Sequence, residues 1–176
     1  KAPLHFNFVT DVMDRQARER PDAPALWCVD AGTGGDRKFS FRQLAVLSCQ
    51  AANCLRANGV ERGDRVLLML PRVPQWWIAM LGLIRLGAVP VPATLLLTAR
   101  DVAYRLGSAR IRAVITCPEG VGKVGGFEGV RLLAGGQRPS WGDFDSGVRQ
   151  AGSGFNSEPT RSDDPGIIYF TSATTG

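Results

Sequence analysis

The segment that most constrains the fold of this chain is a short apolar run. After Arg65 the sequence continues without interruption as Val-Leu-Leu-Met-Leu, with Gly63-Asp64 before the run and Pro71 after it. A strand that is apolar on both faces is typical of the interior of a parallel sheet, where both faces are covered. The run therefore predicts a buried inner strand.

Strand patterns and helix patterns alternate along the rest of the chain, which predicts βαβ units and an α/β layered domain. Several helix ends are marked by residues suited to them: Ser40 and Thr98 as N-caps, Pro74 in a first turn and Gly59 after a last turn. The predicted strands are 25–29, 38–39, 65–70, 88–91, 111–117, 130–134 and 167–170. The first predicted helix begins near Phe8 and is ended by Pro21. The other predicted helices are 40–59, 75–86, 98–108 and 140–150, the last with Ser140 as its cap.

Composition excludes some classes of function. The formal net charge of the 176 residues is +5, but basic and acidic residues are interspersed. A nucleic-acid site would need basic residues clustered with exposed aromatics, and no such cluster is present in the sequence. The apolar stretch from Trp76 to Leu86 is interrupted by Gly82 and Arg85 and is too short to span a bilayer. A positive balance suits nucleotides, although a mildly basic protein without that purpose fits equally well.

The cysteines form no metal-binding pattern. Cys28, Cys49, Cys54 and Cys117 contain no CxxC pair, and His5 is the only histidine. We therefore expect reduced thiols, no zinc site and no Ser/His/Asp triad. His5 is expected to be exposed and without a role.

Three glycines resemble a dinucleotide-binding fingerprint. Gly120, Gly122 and Gly125 follow a predicted strand with GxGxxG spacing, and Asp143 lies about twenty residues further on. Pro118 interrupts the pattern, so a loop is the favoured interpretation. A nicotinamide-binding domain would require a helix that begins at Gly125.

The strongest functional signal lies at the end of the sequence. The predicted strand 167–170 is followed by a turn of small and hydroxyl-bearing residues, which can direct backbone N–H groups and hydroxyls at phosphate oxygens. The spacing is not that of the GxxxxGK[ST] loop, and most such turns bind nothing. The candidate phosphate-binding residues are Thr171, Ser172, Ala173, Thr174, Thr175 and Gly176.

This turn resembles the phosphate-loop signature of the adenylate-forming superfamily. That signature reads aromatic, Thr/Ser, Ser, Gly, Thr/Ser, Thr/Ser, Gly, and then Pro-Lys. The chain departs from it at Ala173, where the family usually has glycine. An alanine strains the turn by roughly 1 kcal/mol if that position requires a positive φ, which would weaken nucleotide binding.

Other segments resemble the medium-chain acyl-CoA synthetases of this superfamily. They are Leu-Pro-Arg-Val-Pro-Gln-Trp-Trp at 70–77, Phe-Asn-Phe at 6–8, Ala-Leu-Trp at 25–27, Gln-Ala-Ala-Asn at 50–53, Arg-Gly-Asp-Arg-Val at 62–66 and Tyr-Arg-Leu at 104–106. The resemblance implies an α/β fold that forms the N-terminal part of the large domain. It also implies an acid–thiol ligase of the mitochondrial matrix that uses ATP with Mg²⁺, CoA and a carboxylic acid.

The same resemblance limits what this chain could do alone. The chain does not begin with Met and stops at Gly176, so residues 1–176 are expected to be a partial N-terminal AMP-binding domain. The adenine pocket, the magnesium carboxylate and the adenylating lysine would lie downstream, which leaves no catalytic residue here and predicts an inactive fragment. The resemblance implies no CoA contact for Leu95-Leu96-Leu97. A non-catalytic or truncated relative with a folding or interaction role is the alternative. Trp76 and Trp77 could line an acyl pocket, but tryptophans on a helix between strands are far more often core, so both are predicted to be core residues.

Overall fold

The computed structural model of the chain describes residues 3–30, 32 and 34–171. The strands of this part are β1 (Pro24–Val29), β2 (Asp36–Ser40), β3 (Arg65–Met69), β4 (Val89–Pro92), β5 (Ala113–Thr116), β6 (Val130–Leu133) and β7 (Gly142–Asp143). The helices are α1 (Asp14–Glu19), α2 (Phe41–Ala57), α3 (Pro74–Leu86), α4 (Ala99–Ser108), α5 (Pro118–Val121) and α6 (Phe144–Gln150). A π-helical turn (Phe8–Met13) continues directly into α1.

The central sheet is parallel and has the order β4-β3-β5-β6-β7. Strand β3 lies between β4 and β5, so the prediction of a buried inner strand is confirmed. Strands β1 and β2 form a separate antiparallel hairpin. The α/β fold class predicted from the alternation of elements is therefore confirmed.

The two faces of the sheet have separate cores. Val66 and Leu68 of β3 pack with residues of α2, α3 and α6. Leu67 and Met69 point to the opposite face and pack with Val102 of α4 and with partly buried residues of the loops. This alternation follows from the two-residue period of a strand, and it explains why the whole run has to be apolar.

The predicted caps of α2 and α4 are confirmed. The Ser40 hydroxyl accepts from the backbone N–H of Gln43, and the Gln43 side chain accepts from the N–H of Ser40. Thr98 and Asp101 form the same reciprocal pair at the start of α4. Each pair satisfies donors that would otherwise have no partner at a helix N-terminus.

The predicted start of the last helix is wrong by several residues. Helix α6 begins at Phe144, and its N-cap is Asp143, whose carboxylate accepts from the N–H of Ser146 at 2.9 Å. Ser140 instead has a φ of 67° and lies in the turn before β7. Both residue types are good N-caps, and the strand pairing of Asp143 with Leu133 decides between them.

The predicted strand at 167–170 is also wrong, and the prolines of β4 explain why. Val89 and Ala93 donate their N–H groups to the β3 side of the sheet, so Pro90 and Pro92 face the outer edge of β4. A proline has no N–H to donate. This edge can accept a hydrogen bond, as the carbonyl of Pro90 does from the N–H of Ile168 at 3.0 Å. At Pro90 and Pro92 this edge has no N–H group to donate, although a continuous ladder requires one at each position.

Candidate functional site

The candidate phosphate turn is reached by an irregular segment that runs over the surface, here called the approach segment (residues 151–171). Thr171 is its last described residue and is exposed. The other predicted phosphate-binding residues, Ser172, Ala173, Thr174, Thr175 and Gly176, lie outside the described residues. The structure therefore describes the approach segment that leads to the turn.

The first part of the approach segment is held by α2. The Asn53 side-chain amide donates to the carbonyls of Gly152 and Gly154, each at 2.8 Å. Gln50 donates to the carbonyl of Ala151 at 3.3 Å. Glutamine and asparagine at this spacing lie on one face of the helix, and their amides satisfy carbonyls that have no strand partner.

The middle part is held by ion pairs. Arg62 donates to the carboxylate of Asp164 at 2.7 Å and lies 3.7 Å from that of Glu158. The hydrogen bond from Arg62, together with one from the backbone N–H of Arg161, holds the pKa of Asp164 below its usual range. The carboxylate is therefore ionised at neutral pH.

The N-terminal segment runs beside the same part of the approach segment. Phe6 donates its N–H to the carbonyl of Thr160 at 2.9 Å, and the Asn7 amide reaches the Thr160 hydroxyl at 3.1 Å and the carbonyl of Ile84 at 2.7 Å. His5 is exposed, as predicted, and forms an isolated antiparallel bridge with Arg161. Asn7 thus joins the N-terminus, α3 and the approach segment.

The last described part packs against the sheet and α4. Ile168 and Phe170 contact the apolar cluster on the α4 face, whereas Tyr169 between them is exposed. The guanidinium carbon of Arg105 lies 5.0 Å from the centroid of the Phe170 ring. The Tyr104 ring meets the same ring edge to face, with centroids 6.1 Å apart.

These contacts give several sequence motifs a common structural role. Asn7, Gln50, Asn53, Arg62 and Arg105 come from segments that resemble acyl-CoA synthetases, and each contacts the approach segment. Sequence reasoning missed this convergence, because the segments are far apart in the chain. The sequence alone does not show which distant carbonyl a polar side chain on a helix surface binds.

A large cavity lies at the carboxyl ends of β3 and β4, where ligands bind in open parallel sheets. Its volume is about 930 Å³, and its wall contains Trp27, Arg72, Trp76, Trp77 and Leu95. The prediction that the helix tryptophans are core is wrong for Trp77, which is 43% exposed. Trp76 is half-buried and packs on the core with one side. An apolar wall with a cation at its edge suits an apolar group that carries a negative charge.

The glycine pattern at 120–125 does not form a dinucleotide site. No helix begins at Gly125 in the described chain, which turns there and leads into β6. Gly120 lies in the four-residue helix α5, and a Cβ there would come within 2.1 Å of the Thr116 hydroxyl. Packing against β5 therefore accounts for Gly120, and the requirement of the nicotinamide hypothesis is not met.

The cysteines are free thiols, and Cys54 is buried whereas Cys28, Cys49 and Cys117 are half-buried. Burial raises the pKa of Cys54 to about 11, with a further contribution from Asp143. The thiol is therefore protonated at neutral pH. In the described residues, no three His, Cys, Asp or Glu side chains are grouped so that they could hold a metal ion, and no helix has the length and apolar character to cross a membrane.

Comparison with known proteins identifies the family. The family described as AMP-binding enzyme matches residues 13–176. The chain belongs to the AMP-binding enzyme family.

Curated relatives of this AMP-binding enzyme chain are named as acyl-CoA synthetases. Human "Acyl-coenzyme A synthetase ACSM5, mitochondrial" is 38% identical over 187 residues, which is 99% of this chain and 32% of the relative. Rat "Acyl-coenzyme A synthetase ACSM2, mitochondrial" is 38% identical over 189 residues, which is 100% of this chain and 33% of the relative. The chain thus spans about a third of the length of these relatives.

Solved structures show the same fold. An acyl-CoA synthetase of Brucella canis superposes with a TM-score of 0.87 at 23% identity, over 97% of this chain and 32% of its own. The anthranilate CoA ligase AuaEII, in complex with anthranoyl-AMP, superposes with a TM-score of 0.87 at 24% identity, over 99% and 34%. At these identities the likeness concerns the fold alone.

Proposed function

We propose that the complete protein is an acyl-CoA synthetase, an AMP-forming ligase that joins a medium-chain or aromatic carboxylic acid to CoA with ATP. The observation that carries this proposal is the match to AMP-binding enzymes through residue 176, which includes the whole hydroxyl-rich turn. The names of the relatives support the acid and CoA as substrates. They also support a mitochondrial location.

The proposed reaction has two steps. The carboxylate of the acid attacks the α-phosphate of ATP, which gives an acyl-adenylate and pyrophosphate. The thiol of CoA then attacks the acyl carbon and AMP leaves. The proposed role of residues 171–176 is to hold the β- and γ-phosphates through hydroxyls and backbone N–H groups, which positions the leaving pyrophosphate and stabilises its charge.

We propose that the adenine pocket, the magnesium carboxylate and the adenylating lysine lie in sequence beyond these residues. Residues 1–176 would be the N-terminal part of the AMP-binding domain, in keeping with the third of each relative that they match. ATP enters such reactions with Mg²⁺. The described residues contain no group of three acidic or other ligating side chains that fits a metal ion, so no residue here is proposed to hold the cation.

Pyrophosphate exchange tests the proposal. We expect the complete protein to incorporate labelled pyrophosphate into ATP only when an acid is added, because exchange requires the acyl-adenylate to form reversibly. Acids from acetate to decanoate, and benzoate, cover the aliphatic and aromatic classes. Absence of exchange with every one of them would contradict the ligase assignment.

Ala173 favours a second candidate function, a non-catalytic relative with a folding or interaction role. The substitution Ala173→Gly separates the two. If the turn needs a positive φ at this position, glycine removes a strain of roughly 1 kcal/mol and exchange rises about fivefold. A protein in which neither the alanine nor the glycine form exchanges pyrophosphate or binds ATP would be the non-catalytic relative.

A further inference from the structure

The residue immediately before the candidate phosphate turn is held by two neighbouring side chains of α4. Arg105 lies over the face of the Phe170 ring at 5.0 Å, and Tyr104 meets the ring edge to face. Both geometries are attractive, since a cation prefers the face of an aromatic ring and rings prefer to meet edge to face. Phe170 is bonded directly to Thr171, so its position constrains where the turn starts.

Helix α4 is a firm support for these two side chains. Its N-terminus is closed by the reciprocal pair of Thr98 and Asp101, and Val102 is fully buried against the sheet. Arg105 also donates to the carbonyl of Asp101 at 3.1 Å, which directs the guanidinium along the helix surface. This hydrogen bond therefore helps to fix the orientation of the guanidinium that lies over the ring.

Backbone pairing does not provide the same constraint. Ile168 donates to the carbonyl of Pro90, but Pro90 and Pro92 cannot donate in return. Side chains consequently hold the last described part of the approach segment where a strand ladder would otherwise do so.

We propose that Arg105 and Tyr104 are positioning residues for the adenylation step, because they fix Phe170 and thereby place Thr171 and the following turn against the phosphates of ATP. This inference rests on the proposed function. Neither side chain touches a substrate in this scheme; both act through Phe170.

The test compares two arginines that stack on phenylalanines of the approach segment. Arg105→Leu removes the cation next to the turn, whereas Arg56→Leu removes the cation that lies 4.6 Å from the Phe155 ring, far upstream. In the complete protein we expect Arg105→Leu to lower acid-dependent pyrophosphate exchange about three- to tenfold, the scale of one lost cation–π contact. Arg56→Leu is expected to leave exchange within about twofold, and Arg105→Lys to restore most of it.

A second readout separates positioning from general damage to the fold. Thioester formation from a supplied acyl-adenylate and CoA does not use the β- and γ-phosphates, so Arg105→Leu should leave its rate unchanged. A parallel loss in both half-reactions, or an equal loss in the Arg56 variant, would overturn the inference. Normal exchange in Arg105→Leu would overturn it while the proposed function stands. Absence of exchange in the unsubstituted protein would overturn both.

Discussion

Arg85 carries its guanidinium into the interior of the protein, with 3% of the side chain exposed. Its Nε donates to the Ser48 hydroxyl at 2.9 Å, and its terminal nitrogens donate to the two carboxylate oxygens of Asp14 at 3.0 and 2.5 Å. One side chain on α3 thus connects α2 and α1. A buried cation is tolerated because its donors have partners.

Substitution of one partner should therefore be costly. We expect Asp14→Asn to lower the free energy of unfolding by about 3 kcal/mol, because the guanidinium stays buried without a counter-charge. Asp22→Asn is the matched control, since Asp22 pairs with Arg42 on the surface at 3.4 Å and should change stability by no more than about 0.5 kcal/mol. Urea unfolding of the complete protein measures both, and equal losses would contradict the buried-pair interpretation.

At the scale of elements, α2 and α3 approach each other closely at Gly82. A Cβ built at Gly82 would lie 2.5 Å from the Cβ of Ala51 and 3.1 Å from the backbone N of Ala52. Neither neighbour is a flexible side-chain end, so neither can move aside alone. The two helices are packed at a distance that a glycine permits.

Two glycine-to-alanine substitutions within helices should consequently have opposite effects. We expect Gly82→Ala to lower the free energy of unfolding by about 1–3 kcal/mol, because the helices must separate. Gly107 in α4 has open space around it, and Gly107→Ala should raise stability by about 0.5–1 kcal/mol through helix propensity and a less flexible unfolded chain. Thermal unfolding midpoints that move in the same direction for both variants would contradict this.

Elements whose signals are local could be predicted from the sequence. The capped starts of α2 and α4 depend on side chains within three residues of the cap, and β3 is defined by its own apolar run. The segment 167–170 has an equally apolar pattern but forms no strand. The reason lies in Pro90 and Pro92 of the neighbouring edge, which the sequence of the segment itself does not contain.

At the scale of the whole molecule, the approach segment is a surface path fixed by side chains from distant elements. The Arg62–Asp164 pair joins residues 102 positions apart, and the Asn7–Thr160 contact joins residues 153 positions apart. Charge therefore contributes to the path of the chain toward the candidate turn.

The Arg62–Asp164 contact gives the path a dependence on pH. The pKa of Asp164 is lowered in the fold, so its contribution is present above the ordinary carboxylate pKa and is lost as pH falls through the lowered value. We expect the Arg161 and Ser162 amides to lose protection from hydrogen exchange, relative to the intrinsic exchange rate at each pH, as pH falls below about 4. The pKa of Asp163 is also lowered, by Arg161, so Asp164→Asn is needed to isolate the contribution of Asp164. In Asp164→Asn these amides should be less protected than in the unsubstituted protein already at pH 5, and equal protection there would contradict the prediction.

From the sequence, only the candidate phosphate turn could be proposed as part of the site. The hydroxyl pattern of Thr171, Ser172, Thr174 and Thr175 is visible in consecutive residues and led to a phosphate-binding hypothesis. The support for that turn is distributed over Asn7, Asn53, Arg62 and Arg105, whose partners are carbonyls, carboxylates and rings far along the chain. No spacing rule connects such residues before the fold is known.

The long separations of these contacts also set an order of assembly. Within the described residues the last strand of the parallel sheet ends at Asp143, so a growing polypeptide can pair these strands before Thr160 has left the ribosome. The bond between Asn7 and Thr160 has to wait until Thr160 has emerged, and closing so large a loop is slow. We expect the approach segment to be the last part of this region to reach its final structure.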